Sequence, residues 1–501
     1  MTARPRGSPA ASILAAVLTT VAQATPPAQR GGLPPAFQER AQTLPAGSTP
    51  FRVKRGLVAQ AKRTQAARMS KLAIGPRKIE GTRRVPVLTT YFAATVSPPY
   101  PAEQLQQMLF DGPWPTGTVS DYYREVSAGS LALGGMVQPW VPLVHESSYY
   151  EGADFIDPQS LVSKPCHGVC SNNRVHELIA EALAAPQNAA MDWGAFDNDG
   201  PDAVPNSGDD DGFVDFVVFV HAEIGGECQI AGNTNIWSHT SSLSNSPAGV
   251  YQTSSLRSGG GFIMIDDFTI QPALACDGRM IQIGVFAHEF GHVFGLPDLY
   301  DTDPDNGESA GVGPWCLMSA GTWGGDGQTP DRPAHLSPWA KEYLGWLDVI
   351  DVTQDEPAAV LDDIGASHTA RRLRVSPTTY YLIANVDRKG FNSQLPAAGL
   401  QIWKIDEAVL QQTLAVNRVN ADAHNRGVGL VEADNNASLD TPENTGEAGD
   451  VFPGPNGNRM FDAFTSPSAA GGVAVCSIPD AAAQMLVGLL VSSDRCSALP
   501  P

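Results

Sequence analysis

The amino-acid sequence predicts an α/β (α+β) domain over residues 85–348, followed by a β-rich C-terminal region over residues 349–501. Three observations carry this. VPVLTTYFAATV from Val85 and GFVDFVVFVHAEIGG from Gly212 are apolar, β-branched runs of strand length, the second continuous enough for a buried central strand. NNRVHELIAEALAA repeats apolar residues at Val175, Leu178, Ile179 and Ala182, and GVFAHEFGHVFG is ended by a glycine; both read as helices. Beyond about Trp346, YYLIANVD, GLQIWKID, GVGLVEAD and MLVGLLVSS read as short strands separated by turns. The first part of this later region is expected to belong to the same unit as the α/β domain.

The N-terminus has its own character. MTARPRGSPAASILAAVLTTVAQA opens with Arg4 and Arg6, continues with an apolar run from Ala10 to Ala22, and ends in Ala22-Gln23-Ala24. That is the pattern of a secretory signal over residues 1–24, cut after Ala24. The run is shorter than the roughly 20 residues a membrane span needs, so an exported, soluble monomer is expected. Seven cysteines fit an oxidising compartment. Proximity suggests the pairs Cys166–Cys170, Cys228–Cys276 and Cys476–Cys496 with Cys316 free, although spacing alone does not fix connectivity.

Residues 25–84 carry 13 Lys and Arg against two acids, Glu39 and Glu80. The whole chain nevertheless has a net charge of −21, which argues against nucleic acid and anionic membranes as targets. A basic leader before an acidic body reads as a pro-segment covering the functional site, or as a solvated linker. Arg83-Arg84 is a possible processing point. Further on, SDYYREVSAGSL predicts a helix capped by Ser120, and LALGGMVQPWVPL a strand pair or hairpin.

HEFGHVFGLPDLYD, from His288 to Asp301, carries the chemistry. His288 and His292 stand four apart, so a helix stacks them on one face, where both imidazoles reach one metal. Imidazole nitrogen suits zinc. Glu289 can reach a water in the metal's open position and accept its proton. Gly295 ends the helix through a left-handed residue and Pro297 prevents its continuation. The chain then turns, so Asp298 can swing back as third ligand; Asp301 is the rival, and either could instead orient a histidine. No GxSxG elbow offers serine chemistry.

Downstream, GPWCLMSAGTW places Met318 in a small-residue turn. In the metzincin clan of zinc proteases such a methionine lies beneath the metal. HEFGHVFGLPDLYD, GVGPWCLMSAGTW and HLSPWAKEYLGW together resemble the immune inhibitor A family of secreted bacterial zinc metalloproteases. The resemblance takes in SDYYREVSAGSLALGGMV, DDDGFVDFVVFVHAEIGG, YYLIANVDRKGFNSQLPAAGLQIWKIDE and GEAGDVFPG, from about Val85 to Pro453. It implies a metzincin-like zincin catalytic domain and a secreted endopeptidase acting on proteins or peptides, made with a signal and an inhibitory pro-segment. It also implies zinc at His288, His292 and Asp298, Glu289 as catalytic base, and Met318 as the methionine turn. Lys404, in IWKID, departs from the family's expected histidine.

FDNDGPDAVPNSGDDDGFVDF gathers Asp197, Asp199, Asp209, Asp210, Asp211 and Asp215. Alternating carboxylates at Asp209, Asp211 and Asp215 around Gly212 suit Ca²⁺, and the expected calcium set is Asp197, Asp199, Asp209, Asp211 and Asp215. The rival to an enzyme is a secreted, calcium-stabilised binding or adhesion protein with a vestigial zinc site. An intact Glu289 argues against it, because a binding module has no need of a general base.

Overall fold

The computed structural model describes residues 24–28, 33–43, 78–157, 160–303, 306, 309–324, 329–441 and 446–496. Apart from Ala24, the expected signal lies outside these residues, as does most of the basic leader.

The central sheet has six strands: β1 (Gly81–Tyr91), β2 (Leu131–Val137), β3 (Val141–Pro142), β4 (Val217–Ile224), β5 (His239–Ser242) and β6 (Asp267–Leu274). The order is β2-β1-β4-β6-β5, with β3 also on β1. All pairings are parallel except β6 with β5, which is antiparallel. β4 is buried along Val217–Ala222, as its unbroken apolar run requires between two neighbours. β5, reading HTSS, is the edge, and it is the edge that faces the metal centre described below.

Three local expectations differ from the structure. LALGGMVQPWVPL is not a hairpin: β2 and β3 both run parallel to β1, one along each end of it. The preceding helix, α2 (Val119–Val126), is capped by Thr118 rather than Ser120. Thr118 and Asp121 form a reciprocal capping box, which satisfies two orphan amides where Ser120 could satisfy one; Ser120 Oγ instead donates to the carbonyl of Leu133. Finally, Arg83-Arg84 lies inside β1, and Arg83 is buried with its charge close to Asp215. Its backbone is therefore held in a ladder, not presented in a loop.

Numbering α1 (Pro35–Thr43) first, the other helices used here are α3 (Val175–Ala184), α4 (Ile283–Val293) and α5 (Pro338–Leu344). Every residue of α4 is buried. Its apolar bulk meets the sheet and α2: Phe290 packs against Phe216 at 5.1 Å, Phe294 against Tyr123 at 5.1 Å, and the Tyr123 hydroxyl donates to the Ala287 carbonyl at 2.6 Å.

The chain after α5 builds two more sheets. The first holds β7 (Asp348–Asp351), β9 (Thr369–Arg374), β10 (Thr379–Val386), β11 (Gly399–Asp406) and β12 (Val428–Leu430) in that order; the second holds β8 (Glu356–Asp362), β14 (Gln484–Leu490) and β13 (Ala474–Cys476). Leu382, Trp403 and Val428 of the first sheet share one buried cluster with Phe290 and Trp346. The cysteines pair as 166–170, 228–276 and 476–496, with Cys316 a buried thiol. No helix among the described residues is long and apolar enough to cross a membrane.

Candidate metal centre

His288 and His292 sit one turn apart on α4, both fully buried. Each ring is oriented by its far nitrogen. His288 Nδ1 lies 2.9 Å from the Leu317 carbonyl oxygen and His292 Nδ1 2.9 Å from that of Leu296. With Nδ1–H donating to these carbonyls, Nε2 is the lone-pair nitrogen in both rings. The two Nε2 atoms then face each other at 3.1 Å, an arrangement that two lone pairs tolerate only around a cation.

Gly295, at φ +95°, turns the chain back on itself. A side chain there would be strained, and glycine is not. The turn brings Asp298 Oδ1 to 3.2 Å from His288 Nε2 and 3.3 Å from His292 Nε2. Asp298 is fully buried, and no donor is aligned on its Oδ1. Four ligands about 2.0–2.1 Å from a zinc ion in tetrahedral geometry stand about 3.3 Å apart. The triangle of two nitrogens and one oxygen has sides of 3.1, 3.2 and 3.3 Å, so its donors and dimensions fit zinc. Asp301 is not part of it. That carboxylate accepts from the Asp303 amide at 2.9 Å, and burial raises its pKa to about 7.

Around the triangle the contacts come from distant parts of the chain. Asn417 grips Asp298 twice: its Nδ2 donates to Asp298 Oδ2 at 2.7 Å, and its Oδ1 accepts from the Asp298 amide at 2.8 Å. Met318 is fully buried against Gly291, the residue between the two histidine turns; a Cβ on Gly291 would lie 2.5 Å from Met318 Sδ. The Leu299 amide donates to the Met318 carbonyl at 2.7 Å, tying the aspartate turn to the methionine turn. Lys404 is exposed on β11 and takes no part.

Glu289 is fully buried beside the triangle. Burial raises its pKa, with His292 and His288 opposing. Thr240 of β5 donates to Glu289 Oε2 at 2.7 Å, and Thr25 donates to Oε1 at 2.7 Å. Thr25 belongs to a segment that runs through the site. Ala24 bridges antiparallel to His239 on the outer edge of β5. The Ala24 carbonyl oxygen lies 3.1 Å from His288 Nε2 and accepts from the Tyr300 hydroxyl at 2.7 Å. Trp237 and Trp323 indoles donate to the carbonyls of Thr25 and Pro26, each at 2.9 Å. The sequence reading did not single out Thr240, Tyr300 or Asn417. They belong to no local pattern; Tyr300 alone lies within the quoted motif.

In the acidic loop, carboxylate oxygens of Asp197, Asp199 and Asp210 lie within 4.8 Å of one another. Asp209 points outward to Ser207 and the Asp202 amide. Asp210, not Asp209, therefore turns inward with Asp197, because an irregular loop has no alternation to fix which side chains share a face. Asp197 is buried, its Oδ1 has no donor, and burial reinforced by Asp210, Asp211, Asp215 and Asp199 lifts its pKa to about 8. Asp211 accepts from the Phe213 amide, and buried Asp215 from the Asn198 amide.

A buried HExxH helix closed by an aspartate, with a methionine beneath it, defines a metal-centre class of fold. The profile of the immune inhibitor A peptidase M6 catalytic domain matches residues 90–347, and this chain belongs to that family. It is 31% identical over 253 residues to Immune inhibitor A of Bacillus thuringiensis subsp. alesti, covering 48% of this chain and 34% of the relative. It is 30% identical over 261 residues to the pre-pro-metalloprotease PrtV of Vibrio cholerae serotype O1 (strain M66-2), covering 49% of this chain and 26% of the relative. The match thus spans only about a third and a quarter of these curated relatives.

Asp298→Ala is expected to abolish stoichiometric zinc in purified protein, measured by elemental analysis, whereas Asp301→Ala retains it. Full zinc content in Asp298→Ala moves the third ligand elsewhere.

Proposed function

We propose that this protein is an exported zinc endopeptidase of metzincin type, whose own N-terminal segment occupies the cleft until it is removed. The observation that carries the reading is the triangle of His288 Nε2, His292 Nε2 and Asp298 Oδ1 with a buried carboxylate, Glu289, beside it. The family match and a relative named as a metalloprotease support it.

Zinc held by these three residues supplies Lewis acidity, polarising a peptide carbonyl and lowering the pKa of a water to about 7. The protein's own groups do the rest. An extended peptide lies along the outer edge of β5, in the manner of Ala24, so main-chain pairing sets its register. The Tyr300 hydroxyl donates to the carbonyl oxygen, as it does to that of Ala24. Glu289 accepts a proton from the attacking water and passes it to the leaving nitrogen. Trp237 and Trp323 hold the adjoining carbonyls.

In the exported protein, cut after Ala24, the segment from Thr25 to Ala28 stays in the position a substrate would take, and its Thr25 hydroxyl ties up the base. Its tether gives it an effective concentration of about millimolar, enough to compete with most substrates. At Asp197, Asp199 and Asp210 the reading places a Ca²⁺ ion, which the buried, donorless Asp197 Oδ1 and the mutual repulsion of the loop both call for. A binding protein with a vestigial site is disfavoured, since such a protein has no use for a base held between two threonine hydroxyls.

Glu289→Gln is expected to keep its zinc and lose proteolysis by at least roughly a hundredfold; near-normal casein cleavage by the processed variant removes Glu289 as base. Protein lacking residues 25–77 should cleave casein roughly tenfold faster or more than the chain that retains them. Equal rates would show that the segment does not inhibit.

A further inference from the structure

Two acidic turns that are separate in the sequence, VEAD after β12 and EAGD before Val451, come together in space. Carboxylate oxygens of Glu432, Asp434 and Asp450 lie within 4.8 Å of one another. The backbone forces the approach: the Ala433 amide donates to the Asp450 carbonyl and the Asp434 amide to the Gly449 carbonyl, each at 3.1 Å. Gly449 brings the two turns close: a Cβ at that position would lie 2.0 Å from Asp434 Oδ2 and would displace that carboxylate.

Glu432 and Asp450 accept hydrogen bonds through one oxygen each, and Asp434 accepts through both. Glu432 Oε2 accepts from the Ser438 amide at 2.7 Å, the Ser438 hydroxyl at 2.8 Å and the Leu439 amide at 3.3 Å. Asp434 accepts from the Asn436 amide and side chain at 3.3 and 3.1 Å. Asp450 Oδ2 accepts from the Trp315 indole at 2.8 Å and the Glu447 amide at 3.0 Å. Asp450 Oδ1 has no donor, although the residue is fully buried. Arg426, just before β12, does not neutralise the group; its guanidinium goes to Asp440 at 2.7 Å and to the Leu439 carbonyl. A buried carboxylate oxygen without a donor, on a residue clustered with two further carboxylates, is costly unless a cation partners it.

We propose that Glu432, Asp434 and Asp450 bind a Ca²⁺ ion that clamps the C-terminal loops to the turn beneath the metal centre. The ligands are all oxygen and sit on irregular loops, which suits the large, geometrically tolerant Ca²⁺ better than Mg²⁺ with its octahedral demand. The clamp acts through Trp315. Its indole is bound to Asp450, and it lies in the Gly313–Trp315 turn, three residues before Met318. A cation holding Asp450 therefore holds the turn that supports the floor under His288 and His292. This site is separate from the Asp197–Asp199–Asp210 loop, and its binding does not depend on the proposed peptidase reaction.

The test uses the full chain, stripped with EGTA and dialysed against Ca²⁺. Bound calcium is counted by elemental analysis, and Tb³⁺ luminescence is read under tryptophan excitation. In the wild type, Ca²⁺ should displace Tb³⁺ excited by Trp315. Asp434→Asn, half-exposed and tolerant of change, should bind one Ca²⁺ fewer per chain, or bind it roughly tenfold more weakly or worse, and should lose the luminescence that Trp315→Phe also loses. Asp199→Asn, in the other loop, should leave that luminescence in place. Asp450→Asn serves as a second variant, with circular dichroism reporting its fold. An Asp434→Asn protein with unchanged calcium stoichiometry, affinity and tryptophan-excited Tb³⁺ luminescence would overturn the proposal.

Discussion

Three candidate ligand atoms held within 3.3 Å of one another in a buried interior are the constraint on which the rest of this structure depends. Two imidazole lone pairs and a carboxylate oxygen repel one another, and burial removes the solvent that would screen them. The surrounding protein therefore has to fix each ligand before a cation can reward the arrangement. Backbone carbonyls at Leu317 and Leu296 fix the histidine tautomers, and Asn417 fixes the aspartate. Gly295 makes the turn, and Gly291 lets Met318 come close enough to close the floor.

These supports reach across the whole chain. Asn417 stands 119 residues from Asp298, and Thr240 49 residues from Glu289. The sheet makes this possible. β5 runs antiparallel at the edge, so its outer side faces the cleft, and Thr240 can reach Glu289 from the same strand whose backbone pairs with Ala24. The C-terminal strands are part of the same construction, since Trp403 and Leu382 share the core of α4, and Asp450 reaches the Trp315 indole. The site is thus assembled by the domain core and the later sheets together.

Much of the centre is legible in the sequence because its signals are local. Helical period alone puts His288 and His292 on one face, and Gly295 with Pro297 announces the turn that returns Asp298. Asp298 and Asp301 were not separable by spacing, since both follow the same turn; the hydrogen bonds of Asn417 and the Asp303 amide separate them. Asn417, Tyr300 and Thr240 act through long-range contacts and have no periodic signature. β5, a four-residue polar edge, gives no strand pattern to read. Parallel pairing of β2 and β3 to β1 was equally hidden, because adjacent strand-like runs suggest a hairpin. In the acidic loop, exchange of Asp209 for Asp210 shows that spacing does not sort side chains in an irregular turn. Cys166–Cys170 and Cys476–Cys496 were readable because each joins close neighbours in the sequence, whereas Cys276 lies nearer to Cys316 than to Cys228, so spacing alone does not account for that pair.

Zinc K-edge absorption spectroscopy of the purified chain addresses the triangle itself. The account predicts two imidazole nitrogens and at least one carboxylate oxygen at about 2.0–2.1 Å. A sulfur shell at about 2.3 Å, or coordination with fewer than two imidazoles, would contradict it.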